Sequence, residues 1–441
     1  MVGKLSRRGV LGSGLTPAAP ALAEVSCTSA APSTPCAGAI PEPVRFLRTS
    51  WSTDPYALCS YSYLAPGRLA SRARPMLAEP FARLYFAGEA TSSDWPSMTH
   101  GAMTSGGRAA REVLRDGAGS VVIVGSGFAG IGCARVLTDQ GVTVTVLEAR
   151  DRIGGRIWTE RIADMPAEMG ASWIHGPQGN PMTDLLDATS DRRYRYDKDS
   201  VAGRDEAAFR EMARYRDQLD EVEDPATTPI SAVFPDPLLP ELVYATNVAY
   251  AQEYAADIDQ LAVLAENEGR ELQGRDILLP DGYDRLLAQL RGDITVRTGA
   301  VVTAVMQRPG GVILTLRSGE TVTADRSVIT VPIGVLKAAV ITFDPPLPPA
   351  KQQAIDALGA GLMDKLWLEF PKVFWNRDVD ALEYYDHDNP GRWSYWLNAH
   401  KIFGKPVLLG FNSGRPAREL AHASDRDIVT SAMDALRTMH S

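Results

Sequence analysis

Between positions 83 and 148 short apolar runs alternate with longer segments whose apolar positions fall three and four residues apart. Residues 83–90 (RLYFAGEA) read as a short strand, and residues 101–115 (GAMTSGGRAAREVLR) as a helix stopped by the glycine-rich DGAG of 116–119. Residues 121–124 form the next strand. Residues 128–140 are helical, with Ile131, Ala134, Arg135 and Leu137 on neighbouring turns, and residues 142–148 (VTVTVLE) are a third strand. Strands joined in this way by helices lie parallel, with right-handed crossovers, so the pattern predicts an α/β layered domain. Further on, residues 205–223 predict a charged surface helix and 238–269 one or two more. Residues 294–305 and 312–331 are rich in strand, 362–370 (LMDKLWLEF) alternate with period two as a strand, and 425–440 close the chain as a helix. No self-similarity at a period of about 20 to 50 residues marks a solenoid.

The first of the parallel strands runs into a glycine fingerprint, SVVIVGSGFAG at 120–130. Gly125 allows a tight turn, Gly127 lets the backbone approach a pyrophosphate, and Gly130 permits close packing of helix on strand. The helix start then offers unpaired N–H groups to an anion. Glu148 stands at the end of the following strand, where a carboxylate takes both hydroxyls of a ribose. Strand, glycines, helix, strand and acid in this order specify a dinucleotide. The chain then continues as EARDRIGGR at 148–156, which keeps Arg150, Gly154, Gly155 and Arg156 beside the cofactor, with Arg156 available for phosphate. A nicotinamide enzyme has no need of this second segment.

With that segment in view, the chain resembles the flavin-containing amine oxidases. The similarity extends through EMGASWIHG at 168–176, Asn180-Pro181, LPDGY at 279–283, VPIGVL at 331–336 and Phe374-Trp375. In that family the C-terminal part carries PEP, a tryptophan, Asp-Pro, GSYSY, a strand with FAGE and a last helix preceded by HGA. Here all of them stand at the front: Pro41-Glu42-Pro43, Trp51, Asp54-Pro55, Ser60-Tyr61-Ser62-Tyr63, Phe86 to Glu89 and His100-Gly101-Ala102. The order is that of a circularly permuted member. Such a permutation joins the ancestral ends through the bridge at 116–119 and opens the chain just before PEP, so Ser441 and Ile40 are expected to meet in the fold.

The resemblance implies an FAD-binding doubly wound, Rossmann-like domain (residues 65–190 and 271–340) with a second α+β substrate domain (40–64, 191–270 and 341–441), in circularly permuted order. It also implies an enzyme that oxidises an amine to an imine with O₂ as acceptor, releasing H₂O₂. Lys365 matches the lysine that holds a water near the flavin, and is the expected catalytic residue. Glu89, Met98, Thr99, Ser172, Trp173 and Val302 match further FAD contacts. Ser60 stands where some members carry the cysteine bound to flavin, with Cys59 beside it, so non-covalent FAD is expected. Tyr61 matches one wall of an aromatic sandwich before the flavin, and the other wall aligns with Met98. Glu168 and His175 resemble polar residues that polyamine oxidases place near substrate, which favours a polyamine-like substrate. Trp393, Tyr395 and Trp396 are either further aromatic walls or plain core. Desaturases and porphyrinogen oxidases share the fingerprint and the GGR segment but fit Lys365 and SYSY less well; a flavin-bound scaffold without turnover is a third reading.

Composition changes this picture little. With 45 Lys plus Arg against 54 Asp plus Glu, a net charge of −9, the chain carries no footprint for nucleic acid. It has no apolar run of about 18 residues that would predict a membrane span. The twin arginine Arg7-Arg8 ahead of Ala21-Leu22-Ala23 reads as a twin-arginine export signal over residues 1–23, or as an Ala/Pro/Ser leader of a cytoplasmic protein. Residues 24–39 read as a flexible linker. Cys27, Cys36, Cys59 and Cys133 lack metal-ligand spacing, and Cys27 and Cys36 pair only if the protein is exported.

Overall fold

The computed structural model describes residues 40–440. The expected signal, the linker, Cys27, Cys36 and Ser441 lie outside them. A five-stranded, all-parallel sheet stands at the centre in the order Val296–Arg297, Thr143–Leu147, Ser120–Val124, Arg326–Ile329, Leu84–Phe86. A parallel sheet is covered on both faces, which is why Val121 to Val124 are apolar without interruption. Val121 and Ile123 pack with Tyr85 and Val328 against Ala109, Ala110 and Val113 of the helix Thr99–Arg115 and Ala134 and Leu137 of the helix Phe128–Asp139. Val122 and Val124 point the other way, with Leu84, Phe86 and Ile329, onto Val305, Leu314 and Leu316 of a four-stranded sheet. The layers are thus helix, parallel sheet and small sheet.

The helix Thr99–Arg115 feeds directly into this sheet. Gly117 turns the chain at φ +68°, and the Asp325 carboxylate accepts from both Gly119 N and Ser120 N at 2.9 Å. The Tyr85 hydroxyl donates to Asp116. Four residues therefore suffice to link the edge-strand crossover to the fingerprint strand.

A second, six-stranded sheet has the order Arg45–Arg48, Met363–Glu369, Val407–Ser413, Tyr395–Asn398, Ala381–Glu383, Val201–Ala202. One face, through Leu366, Leu368 and Leu408, packs on Ile428, Ala432, Met433 and Leu436 of the helix Asp425–Met439. The other face carries Trp367, Leu409 and Phe411. The period-two pattern of residues 363–369 thus separates Leu366 and Leu368 from Lys365 and Trp367. Ile40 packs into the same cluster as Met439, and the Glu42 carboxylate pairs with Arg437 at 2.5 Å. The two ends of the described chain therefore meet.

Residues 238–269 depart from expectation. Helix runs only from Pro240 to Tyr254, with a π turn over Asn247–Ala251, and stops where Ala255 takes a left-handed φ of 56°. Leu362 N donates to Ala255 O at 2.8 Å and ties the chain to the entry of the Met363–Glu369 strand. Only a 3₁₀ turn, Val263–Asn267, follows. Among the described residues no helix is long and apolar enough to cross a membrane.

Candidate active site

A cavity of about 840 Å³ runs between the parallel sheet and the six-stranded sheet, within the range of cofactor and ligand clefts. Its glycines are dictated by contact. Gly125 has φ +106°, and a Cβ there would lie 2.5 Å from Thr330 Oγ1; a Cβ on Gly130 would lie 2.0 Å from the Gly125 carbonyl. Gly127 caps the helix Phe128–Asp139 with no side-chain cap bond and no acid in the first turn, so its opening amides face the cavity unneutralised. The loop bearing Gly154 and Gly155 lies on the first loop, with Gly154 N donating to Ser126 O at 3.2 Å. Glu148 is buried at the cavity wall, where Oε2 accepts from Ser126 N (3.0 Å) and Ser126 Oγ (2.7 Å), and Oε1 from Arg150 N (2.9 Å).

The front of the chain completes this cradle. Arg150 Nη2 is clamped by both Asp54 oxygens at 2.7 Å. Arg156 Nη1 donates to Ser60 O at 2.9 Å and to Glu89 Oε1 at 3.0 Å. Its charge is therefore matched by Glu89 through Nη1, while the residue still lines the cavity. Burial works against the Glu89 carboxylate, but Arg156, Arg74 and the Ser62 hydroxyl outweigh it and hold the group below its usual range. Val302, Met98 and Thr99 line the same cavity, and Thr99 Oγ1 bonds the Tyr283 hydroxyl at 2.7 Å. These surfaces fit FAD: two glycine loops without side chains, a helix N-terminus for pyrophosphate, and an acid at the ribose position.

Lys365 enters at the far wall. It is 5% exposed, and Nζ donates to Glu168 O (3.1 Å), to Gly170 O and to Ser172 Oγ (2.6 Å). Burial lowers its affinity for a proton well below that of an ordinary lysine, with the Glu168 charge opposing. Trp173 and Phe411 lie below the ammonium, their ring centroids 5.9 and 5.7 Å away. Tyr196 and Tyr395, hydroxyl to hydroxyl, continue the aromatic wall, and Tyr61 lies on the cavity with its OH on Gln252 O at 3.3 Å. Phe411 and Tyr196 carried no signal in the sequence, since isolated aromatics more often mark core. Trp393 and Trp396 do pack in the core, whereas Tyr395 lines the cavity.

Glu168 overturns its expectation. Its carboxylate is not among the lining groups but accepts from Tyr283 N (2.7 Å) and Thr159 Oγ1 (2.8 Å), so those donors turn it away from the cavity. Burial pushes its pKa up. His175 does line the cavity, stacked on Trp173 with its Nδ1 2.8 Å from Asp276 Oδ2.

Comparison with known proteins agrees with this geometry. A family model described as flavin containing amine oxidoreductase matches residues 34–114, 128–242 and 239–441. Polyamine oxidase 2 of Arabidopsis thaliana is 33% identical over 360 residues, covering 74% of this chain and 73% of its own. Polyamine oxidase 4 of Oryza sativa subsp. japonica is 32% identical, covering 73% and 72%. The solved structure of a putrescine oxidase, wild type bound to putrescine, superposes with a TM-score of 0.57 at 21% identity, covering 73% of this chain and 81% of that one. A cradle shaped for FAD is what such a family requires, and the chain belongs to the flavin-containing amine oxidoreductase family as an FAD-dependent amine oxidase.

Proposed function

We propose that this oxidase acts on polyamines, with Lys365 as the catalytic residue and Tyr61, Trp173 and His175 at the substrate. The observation that carries the reading is the aromatic wall of Trp173, Tyr196, Tyr395 and Phe411 beside Lys365, in a cavity that His175, Glu253 and Glu271 also line. Aromatic faces and carboxylates hold the distal ammonium groups of a polyamine, while the wall excludes water around the nitrogen that reacts neutral. Glu253 lies close enough to Tyr61 for its charge, after burial, to help keep that phenol protonated. Bound FAD supplies the electron acceptor for the amine and passes the electrons to O₂. The chain orients the amine, shields it and fixes the Lys365 ammonium beside it. Relatives named polyamine oxidase support the assignment. Peroxide release measured with putrescine, spermidine, spermine, tyramine and an L-amino acid is expected to be fastest with spermidine or spermine; a preference for tyramine or the amino acid overturns it.

The FAD is held without a covalent bond in this reading. Ser60 Oγ is engaged by Met363 N and O, both at 2.8 Å, and Cys59 is buried away from the cavity in an apolar cluster, where burial pushes its thiol pKa up. Acid precipitation then leaves the flavin in the supernatant.

We further propose that the chain is a circular permutant. The meeting of Glu42 with Arg437 and the bonded bridge at 116–119 support it. A chain in the other order, residues 120–441 followed directly by 40–119, is expected to bind one FAD and to keep kcat/KM within about threefold, the scatter of context-dependent effects for distant changes. Loss of flavin from a soluble, folded product contradicts it. Export through the twin-arginine signal is proposed from residues 1–23, and a reporter fused to them that stays in the cytoplasm removes it.

A further inference from the structure

His175 and Asp276 are brought together by strand register. Trp173–Ile174 pairs antiparallel with Ile277–Leu278, Ile174 opposite Ile277, so the residue after the first strand falls opposite the residue before the second. Asp276 is held on three sides: its Oδ2 lies 2.8 Å from His175 Nδ1, its Oδ1 accepts from Gly176 N at 3.1 Å, and its carbonyl accepts from Tyr196 N at 2.9 Å. The imidazole stacks on Trp173 with centroids 6.3 Å apart and 25° between planes, and Asn180 Nδ2 holds the His175 carbonyl at 2.8 Å. Both residues line the cavity. Among the described residues, the charged and titratable groups around the pair include Lys198 beside Asp276, the Asp197–Arg275 ion pair at 3.4 Å, His100 reaching Asn180 from the helix Thr99–Arg115, and Lys365 across Trp173.

We propose that Asp276 is a positioning residue: it fixes His175 with Nδ1–H on the carboxylate, making Nε2 the atom that takes the proton of the incoming ammonium. This rests on the reading of the cavity as a polyamine site. An aliphatic amine arrives protonated, since such groups titrate near pH 10.4, and it must be neutral before its α-carbon is oxidised. An N–H bond of the ammonium breaks, the nitrogen keeps the electron pair, the proton binds Nε2, and the imidazolium is stabilised by Asp276 until solvent removes the proton. The carboxylate acts twice, by choosing the tautomer and by raising the basicity of the ring.

The test has two arms on FAD-loaded protein. In the first, ¹⁵N-histidine spectra, assigned with His175→Gln, are followed against pH. His175 is expected as the Nδ1–H tautomer, with a pKa that falls in Asp276→Asn; an Nε2–H tautomer, or an unchanged pKa, overturns the proposal. In the second, kcat/KM for spermidine is followed against pH. Asp276→Asn is expected to lower it roughly 10²-fold, the lower end of what positioned proton transfer contributes, and to move the acidic limb to lower pH. Asp276→Glu recovers part of the loss, and in a His175→Gln background Asp276→Asn adds nothing. An equal loss in that background, or an unchanged profile in Asp276→Asn, overturns it. If the wild-type protein oxidises no amine, the polyamine reading fails by itself, while the spectra still decide the tautomer.

Discussion

Lys365→Met leaves FAD bound and lowers kcat/KM about 10²-fold or more, the cost of removing one preorganised donor from a water-excluded site. Methionine fills the volume of the lysine stem, so the strand Met363–Glu369 keeps its register against Arg45–Arg48 and Val407–Ser413. What disappears is the ammonium that donates to Glu168 O, Gly170 O and Ser172 Oγ and lies over Trp173 and Phe411. The two glycine loops, the helix start at Gly127 and Glu148 keep their own contacts without Lys365, which is why flavin stays. The pH profile discriminates further. Burial depresses the Lys365 ammonium, so its titration lies below the value of about 10.4 for a free lysine, and that limb vanishes in the methionine variant. Stopped-flow reduction and reoxidation of the flavin measure both effects; unchanged rates in both half-reactions remove Lys365 from the mechanism.

Gly130→Ala yields colourless protein. The added Cβ would stand 2.0 Å from the Gly125 carbonyl, with backbone rather than a flexible side chain as its neighbour. To relieve that contact the helix Phe128–Asp139 must move off the strand Ser120–Val124, carrying the amides at Gly127 away from the pyrophosphate position. Overpacking of this kind costs about 1–3 kcal/mol, less than the roughly 5–15 kcal/mol by which a folded protein is stable, so the protein folds but loses its cofactor. Gly67→Ala is the control, because no atom lies within 4 Å of its Cβ, and it stays yellow. Flavin absorbance per chain after gel filtration reads both variants. A yellow Gly130→Ala variant with wild-type affinity would show that close helix-to-strand packing is not what holds the cofactor site in shape.

The nucleotide cradle was legible because its requirements are local. Gly125, Gly130 and Glu148 act through backbone contacts and a fixed distance from the end of a strand, and each leaves a residue-type signature. The strand around Lys365 was legible because its two faces meet different environments, rings on one side and helix Asp425–Met439 on the other. Val407–Ser413 is buried at every position, so it shows no period, and Phe411 could not be placed at the site from its sequence. Glu168 shows the converse: it matched a substrate residue by motif, yet its direction is set by Tyr283 N and Thr159, donors that the motif does not specify. Asp276 was invisible for a similar reason, since only the pairing of two short strands, Trp173–Ile174 with Ile277–Leu278, puts it against His175. Local chemistry is written in the chain; which side of a fold a carboxylate faces is decided by its neighbours in space.

The most direct test mixes the purified yellow protein with spermidine in the absence of oxygen and follows the flavin absorbance. Bleaching within the mixing experiment, restored with one equivalent of H₂O₂ when air is admitted, is the expected result. Protein that carries one FAD per chain and keeps its oxidised spectrum with spermidine, spermine and putrescine would contradict the assignment of this cavity to polyamine oxidation.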